Sequence, residues 1–290
     1  MTILSNGVLT VEVSGHGAEL QSIRKGGVEY LWQGDPAFWG RRSPVLFPIV
    51  GSVWESRYRV NGTTYELGQH GFARDMDFEL VDSSDSEVRY RLTSSDETMN
   101  KYPFGFILEI AYRLHGNCLD VIWEVTNPTD KEIYFQIGAH PAFNYPDYDP
   151  QHSGRGFLAF DRSEGLECIR IKEKGCVDAQ TKWPLEMASG RLKLEKDTFD
   201  AIDTIMLQDS QIGRVEMFRE DGSPWLAVSF DAPVVGIWSP PGKVAPFICI
   251  EPWYGRCDRA GYEGEYKDKD WMNSLSAGEK FESVYTIEIA

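Results

Sequence analysis

Two histidines and one glutamate stand where this chain could do acid–base chemistry, each among turn formers and aromatic rings. His140 lies in Gly138-Ala139-His140-Pro141-Ala142-Phe143-Asn144-Tyr145-Pro146, directly after the strand-like run Ile133-Tyr134-Phe135-Gln136-Ile137. Proline fixes φ and removes a backbone donor, so the chain must leave a sheet there and set the imidazole at a strand end. His70 lies in Gln69-His70-Gly71-Phe72-Ala73-Arg74-Asp75, with Arg74 close by. Glu251 follows the apolar run 245–250 and precedes Pro252-Trp253-Tyr254, which predicts a carboxyl at the end of a buried strand. Desolvation would raise its pKa towards neutrality, as suits a general base. For the pair to work near neutral pH, His140 must be raised by a neighbouring negative charge, which ionised Glu251 would supply. Trp253 and Tyr254, which follow Glu251 at once, offer aromatic faces for the C–H side of a sugar ring. The set suits paired acid–base work on a hydroxylated ligand. A two-carboxylate glycosidase stays open, because Asp203, Asp209 and Asp231 are available as a second acid about 5–10 Å from the first.

Taken singly, each of these residues also fits an ordinary strand end. Other chemistries leave no trace. There is no G-x-x-x-x-G-K, no G-x-G-x-x-G opening a helix, no H-E-x-x-H and no G-x-S-x-G. The five cysteines form no C-x-x-C, and apart from chance acids the histidines lack ligand-type partners at i, i+2 or i, i+4, so no metal and no cofactor is expected. Scattered, odd-numbered cysteines also fit a reducing compartment.

The elements that must position these groups read almost entirely as strands. Leu9-Thr10-Val11-Glu12-Val13 alternates apolar and polar residues with period two. Asn61-Gly62 between β-formers predicts a hairpin, since both turn residues need positive φ. Long strands over 104–114 and 119–126 flank a turn at His115-Gly116-Asn117-Cys118. Only 96–101 could make a turn of helix, and 173–191 looks irregular. With no repeat and no linker, the pattern predicts one all-β domain over 1–290, a large antiparallel sandwich.

A net charge of −16 repels nucleic-acid phosphates and anionic membrane surfaces but not a small neutral ligand. The N-terminus has no basic, apolar leader, and no stretch approaches a membrane span, so a cytoplasmic location is expected. Monomer and homodimer are both open.

Three motifs, in this order, resemble the aldose 1-epimerase (galactose mutarotase) superfamily: the His70-Gly-Phe-Ala-Arg74 stretch, His140-Pro-Ala-Phe143, and Glu251-Pro-Trp253. The chain most resembles the LacX-like branch, with Arg41-Arg42-Ser43-Pro44-Val45-Leu46-Phe47-Pro48 before the first motif and Asp258-Arg259-Ala260-Gly261-Tyr262 near the end. The resemblance is colinear over almost the whole chain. It implies a β-supersandwich and cofactor-free interconversion of the α and β anomers of an aldose or aldose phosphate. It implies Glu251 as general base, His140 as general acid, and His70 as a second histidine that binds and orients the sugar. Asp203 resembles a sugar-hydroxyl-binding aspartate. Arg42 and Arg74 would contact ring hydroxyls or a phosphate, with Arg41 the weaker candidate, and Phe143 and Trp253 would line the sugar site. A non-catalytic carbohydrate-binding or regulatory protein on the same scaffold is the alternative; it would not need both His140 and Glu251.

Overall fold

A computed structural model describes residues 1–290. The apolar positions that alternate along the strands pack two large antiparallel sheets face to face. A nine-stranded sheet runs from Arg191–Glu195 at one edge to Glu79–Ser83 at the other. Its central strands, Ile107–His115, Cys118–Thr126 and Lys280–Ile289, are long, and they pair continuously. An eight-stranded sheet orders Cys176–Pro184, Glu167–Glu173, Thr204–Leu207, Val234–Trp238, Phe247–Tyr254, Ile137–Ala139 and Val45–Leu46, with Ala142–Asn144 also paired to Phe247–Tyr254. A core of 63 buried residues reaches from Leu4 to Ile289. The eight-stranded sheet gives it one face only, including Ile205, Val235, Ile237, Ile248 and Ile250. Because side chains alternate along a strand, Met206, Gly236, Glu251 and Trp253 point the other way, and that face carries the site.

The Asn61-Gly62 hairpin forms with both residues at positive φ, 50° and 78°. Asp96–Lys101 is a short helix, capped by Ser95 accepting from the Thr98 N–H. No helix is long and apolar enough to cross a membrane.

Three local expectations are corrected. The run 133–137 is not one strand: Ile133–Phe135 pairs with Asn273–Leu275, whereas Ile137–Ala139 belongs to the eight-stranded sheet. The break is Gln136, fully buried, whose amide accepts from the Val50 N–H and donates to the Asp270 carbonyl. A polar side chain that satisfies two other segments serves as a joint, which periodicity does not reveal. The segment 173–191 contains a nine-residue strand, Cys176–Pro184, whose pairing is irregular. Glu251 lies inside strand Phe247–Tyr254, not at its end, despite the following proline.

Candidate active site

The site begins with an interrupted ladder. Ile137 and Gly138 pair with Tyr254 and Trp253, and Ala142, Phe143 and Asn144 pair with Cys249, Ile248 and Phe247. The register is the same on both sides of the gap, so continuing it sets His140 opposite Glu251. Pro141 has no N–H to give to the ladder; its carbonyl accepts from Ile250 at 3.3 Å. On its other side Glu251 pairs with Gly236, which has no side chain to crowd the carboxyl. The gap therefore places an imidazole and a carboxyl side by side by backbone geometry alone. His140 Nε2 and Glu251 Oε2 are 3.2 Å apart. No directed hydrogen bond joins them: Glu251 Oε2 and His140 Nδ1 are both buried without a hydrogen-bond partner.

Burial dominates the electrostatics. It pushes the Glu251 carboxyl well above its ordinary range, with Asp203 adding repulsion and Trp253 opposing. It pushes His140 down to about 3, and Arg74 and Arg41 lower it further. His140 is thus lowered by burial, not raised by a charged Glu251. Both shifts favour the uncharged forms, a protonated carboxyl on Glu251 and a neutral imidazole on His140.

His70 supplies a fixed donor. Its backbone stands at φ 67°, with its N–H on the Gly51 carbonyl. Its Nδ1 accepts from the Gly51 N–H at 3.1 Å, which leaves the ring proton on Nε2. Burial keeps this ring neutral, its pKa well below the usual range, with His140 and then Arg74 and Arg41 contributing. The following glycine is required: at φ 71°, a Cβ on Gly71 would lie 2.2 Å from the Phe47 carbonyl oxygen. The ring meets that of His140 edge-on, with centroids 5.4 Å apart.

Around this pair lies a cavity of about 370 Å³, within the range of small-ligand sites. His70, Arg74, His140, Asp203, Glu251 and Trp253 all line it. A larger cleft of about 600 Å³, between Arg59, Phe104 and Tyr134, contains no histidine. Asp203 stands at φ 62° after a turn that bonds its N–H to Phe199, and its carboxylate accepts from the Thr204 hydroxyl at 2.7 Å. The Trp253 indole lies against Gly138 and Gly236, where a Cβ would strike it at 2.6 and 2.4 Å. Its Nε1–H donates to the Ala139 carbonyl, so only the ring is offered to a ligand. Arg74 donates to the Gln69 carbonyl, and its Nε is buried without a partner. Burial pushes this guanidinium down to about 10, Arg41 adding to the effect.

Two expected ligand contacts are elsewhere. Arg42 does not line the cavity: its guanidinium donates to the Gln33 and Gln21 carbonyls. Arg41, the weaker candidate in sequence, does not line the cavity either; it pairs with Asp75 at 2.8 Å, but its charge acts on both site histidines. Phe143 is fully buried in the core, one residue past the sheet face that carries the site. Its place is taken by Trp39 and Trp238, which sequence reasoning missed. Trp39 stacks on His140 at 4.7 Å, and Trp238 meets the same ring edge-on at 5.5 Å. Trp238 ends an apolar strand before Ser239-Pro240-Pro241-Gly242, the same signal that marks His140. Trp39 lies in a loop and carries no such signal. One donor set could hold a metal ion: His140, Cys249 and Glu251, with donor atoms within 4.8 Å of one another.

A family model described as aldose 1-epimerase matches residues 1–288. The chain belongs to the aldose 1-epimerase family. Protein LacX (chromosomal) of Lactococcus lactis subsp. lactis is 34% identical over 266 residues, covering 88% of each chain. A galactose mutarotase related enzyme from Lactobacillus acidophilus shares the fold at TM-score 0.92 and 32% identity, covering 100% of this chain and 97% of that one. A galactose mutarotase-like protein from Lactobacillus casei matches at TM-score 0.92 and 32% identity over 100% of both chains. The aldose 1-epimerase family and this galactose mutarotase-like β fold agree with the order of motifs in the sequence.

Proposed function

We propose that this protein is an aldose 1-epimerase, interconverting the α and β anomers of a free or phosphorylated aldose. The observation that carries the reading is the apposition of His140 and Glu251 at 3.2 Å inside an aromatic-walled cavity. Ring opening needs a proton removed from the O1 hydroxyl and one delivered to the ring oxygen. Rotation about C1–C2 and the reverse transfers then close the other anomer. One proton shared by two groups suffices, because it returns at the end of each cycle. Sugar hydroxyls bonded to His70 Nε2–H and to the Asp203 carboxylate replace water around the pair. In that polar setting the proton moves from Glu251 to His140, leaving the carboxylate as base and the imidazolium as acid. The indole of Trp253 takes the apolar face of the ring.

Polarimetry and saturation-transfer NMR on a panel of free and 6-phosphorylated aldoses test this. At least one sugar should equilibrate faster with the protein and lose that acceleration in Glu251→Gln. Sugar binding without acceleration of any aldose would sink the enzyme and favour a non-catalytic carbohydrate-binding protein.

A further inference from the structure

Cys249 has no part in the proton transfers above, yet the sheet holds its thiol beside them. Cys249 and Glu251 are two positions apart on strand Phe247–Tyr254 and so project from one face. His140 reaches the same face from the opposite side of the interrupted ladder. A donor atom of each lies within 4.8 Å of the other two. All three residues are buried, with exposures of 8%, 0% and 1% for His140, Cys249 and Glu251. Glu251 Oε2 and His140 Nδ1 are buried and unpartnered. A bound sugar explains those two atoms but offers nothing to a thiol.

A thiolate, an imidazole and a carboxylate form the donor set that zinc-like ions prefer over magnesium or calcium. Tetrahedral zinc places such donors roughly 3.3–3.8 Å apart, so these side chains need to close by only about 1 Å. The fourth position would face the cavity and take a water. We propose that His140, Cys249 and Glu251 form a binding site for a soft divalent cation of the zinc class, and that the bound ion excludes the sugar. Binding releases the thiol and carboxyl protons to solvent and occupies both reacting groups. The inhibition arm rests on the reading of His140 and Glu251 as the acid–base pair; the binding arm does not.

The probes are zinc chloride, titrated against a chromophoric chelator, and cobalt(II) chloride, followed by absorption. The wild type should bind one zinc tightly and show a thiolate-to-cobalt charge-transfer band. Cys249→Ala and Cys249→Ser should lose the band and bind zinc at least 10–100-fold more weakly, the loss that even an outer-shell change causes. Both variants should keep their zinc-free mutarotation, now resistant to zinc, and thermal melts check that they fold. Exposed pairs such as His16–Asp77 and His152–Glu220 offer only two donors and should bind zinc weakly in every variant. Unchanged affinity in Cys249→Ala, or no difference in the cobalt band, overturns the proposal. If the wild type accelerates no aldose, the acid–base reading fails while the cobalt band still decides the metal site.

Discussion

Glu251→Gln separates chemistry from architecture. The amide keeps the shape of the carboxyl but cannot take the O1 proton. Positioned acid–base groups contribute about 10²–10⁴-fold, or roughly 3–5 kcal/mol of barrier, so mutarotation should fall by that order with little change in sugar affinity. Stability should move the other way. Glu251 is 1% exposed, and burial holds its pKa well above the ordinary 4.5. Above pH 4.5 the unfolded chain gives up this proton while the folded chain retains it. Native stability therefore falls as pH rises from 4.5 through the folded pKa. Glutamine removes that loss. The variant should match the wild type below pH 4 and exceed it at pH 7, as read by urea unfolding at both values. Near-full mutarotation in Glu251→Gln would show that Glu251 is not the base. Destabilisation at pH 7 would show that its carboxyl is held by contacts that an amide cannot make, contrary to its unpartnered Oε2.

His140→Asn should lower kcat about 100-fold or more, by polarimetry. Because burial takes His140 from its ordinary 6.5 down to about 3, the stability it allows is full above 6.5 and lost as pH falls towards 3; the variant should therefore unfold at lower pH than the wild type in an acid titration. Arg74→Ala should raise KM for the preferred sugar about tenfold, whereas Arg42→Ala should leave KM within about twofold, since Arg42 is fastened to backbone carbonyls. Equal effects in steady-state kinetics would reverse that placement. Asp270→Asn should cost about 3 kcal/mol at pH 7 by leaving Arg256, 2% exposed, without its carboxylate. Asp270 is held below its ordinary 3.8, with hydrogen bonding to Arg259 and the charge of Arg256 outweighing desolvation, so this stability is present above 3.8 and lost as pH falls through the folded pKa. Urea midpoints for the two proteins should converge in acid.

Much of the fold was legible because strand identity is a local property. Alternation along 9–13 and the Asn61-Gly62 turn depend on steric rules that act over a few residues, and both elements form where they were expected. The site motifs were legible for a related reason: His70, His140 and Glu251 are polar groups in apolar or turn-rich settings, and such groups are costly to place without purpose. What local rules cannot say is which strands become neighbours and which face is wet. Phe143 and Trp253 look equally suited to a sugar in sequence; sheet pleating turns one into the core and the other into the cavity. Arg41 and Arg42 are adjacent, yet carbonyls from residues 33 and 21 capture Arg42 and leave the charge of Arg41 to act on the histidines. His140 and Glu251 are 111 positions apart in the chain, and their apposition comes from one register carried across a gap made by Pro141. The same burial that brings them together lowers His140 instead of raising it. Desolvation is a property of the packed surroundings, and no spacing along the chain encodes it.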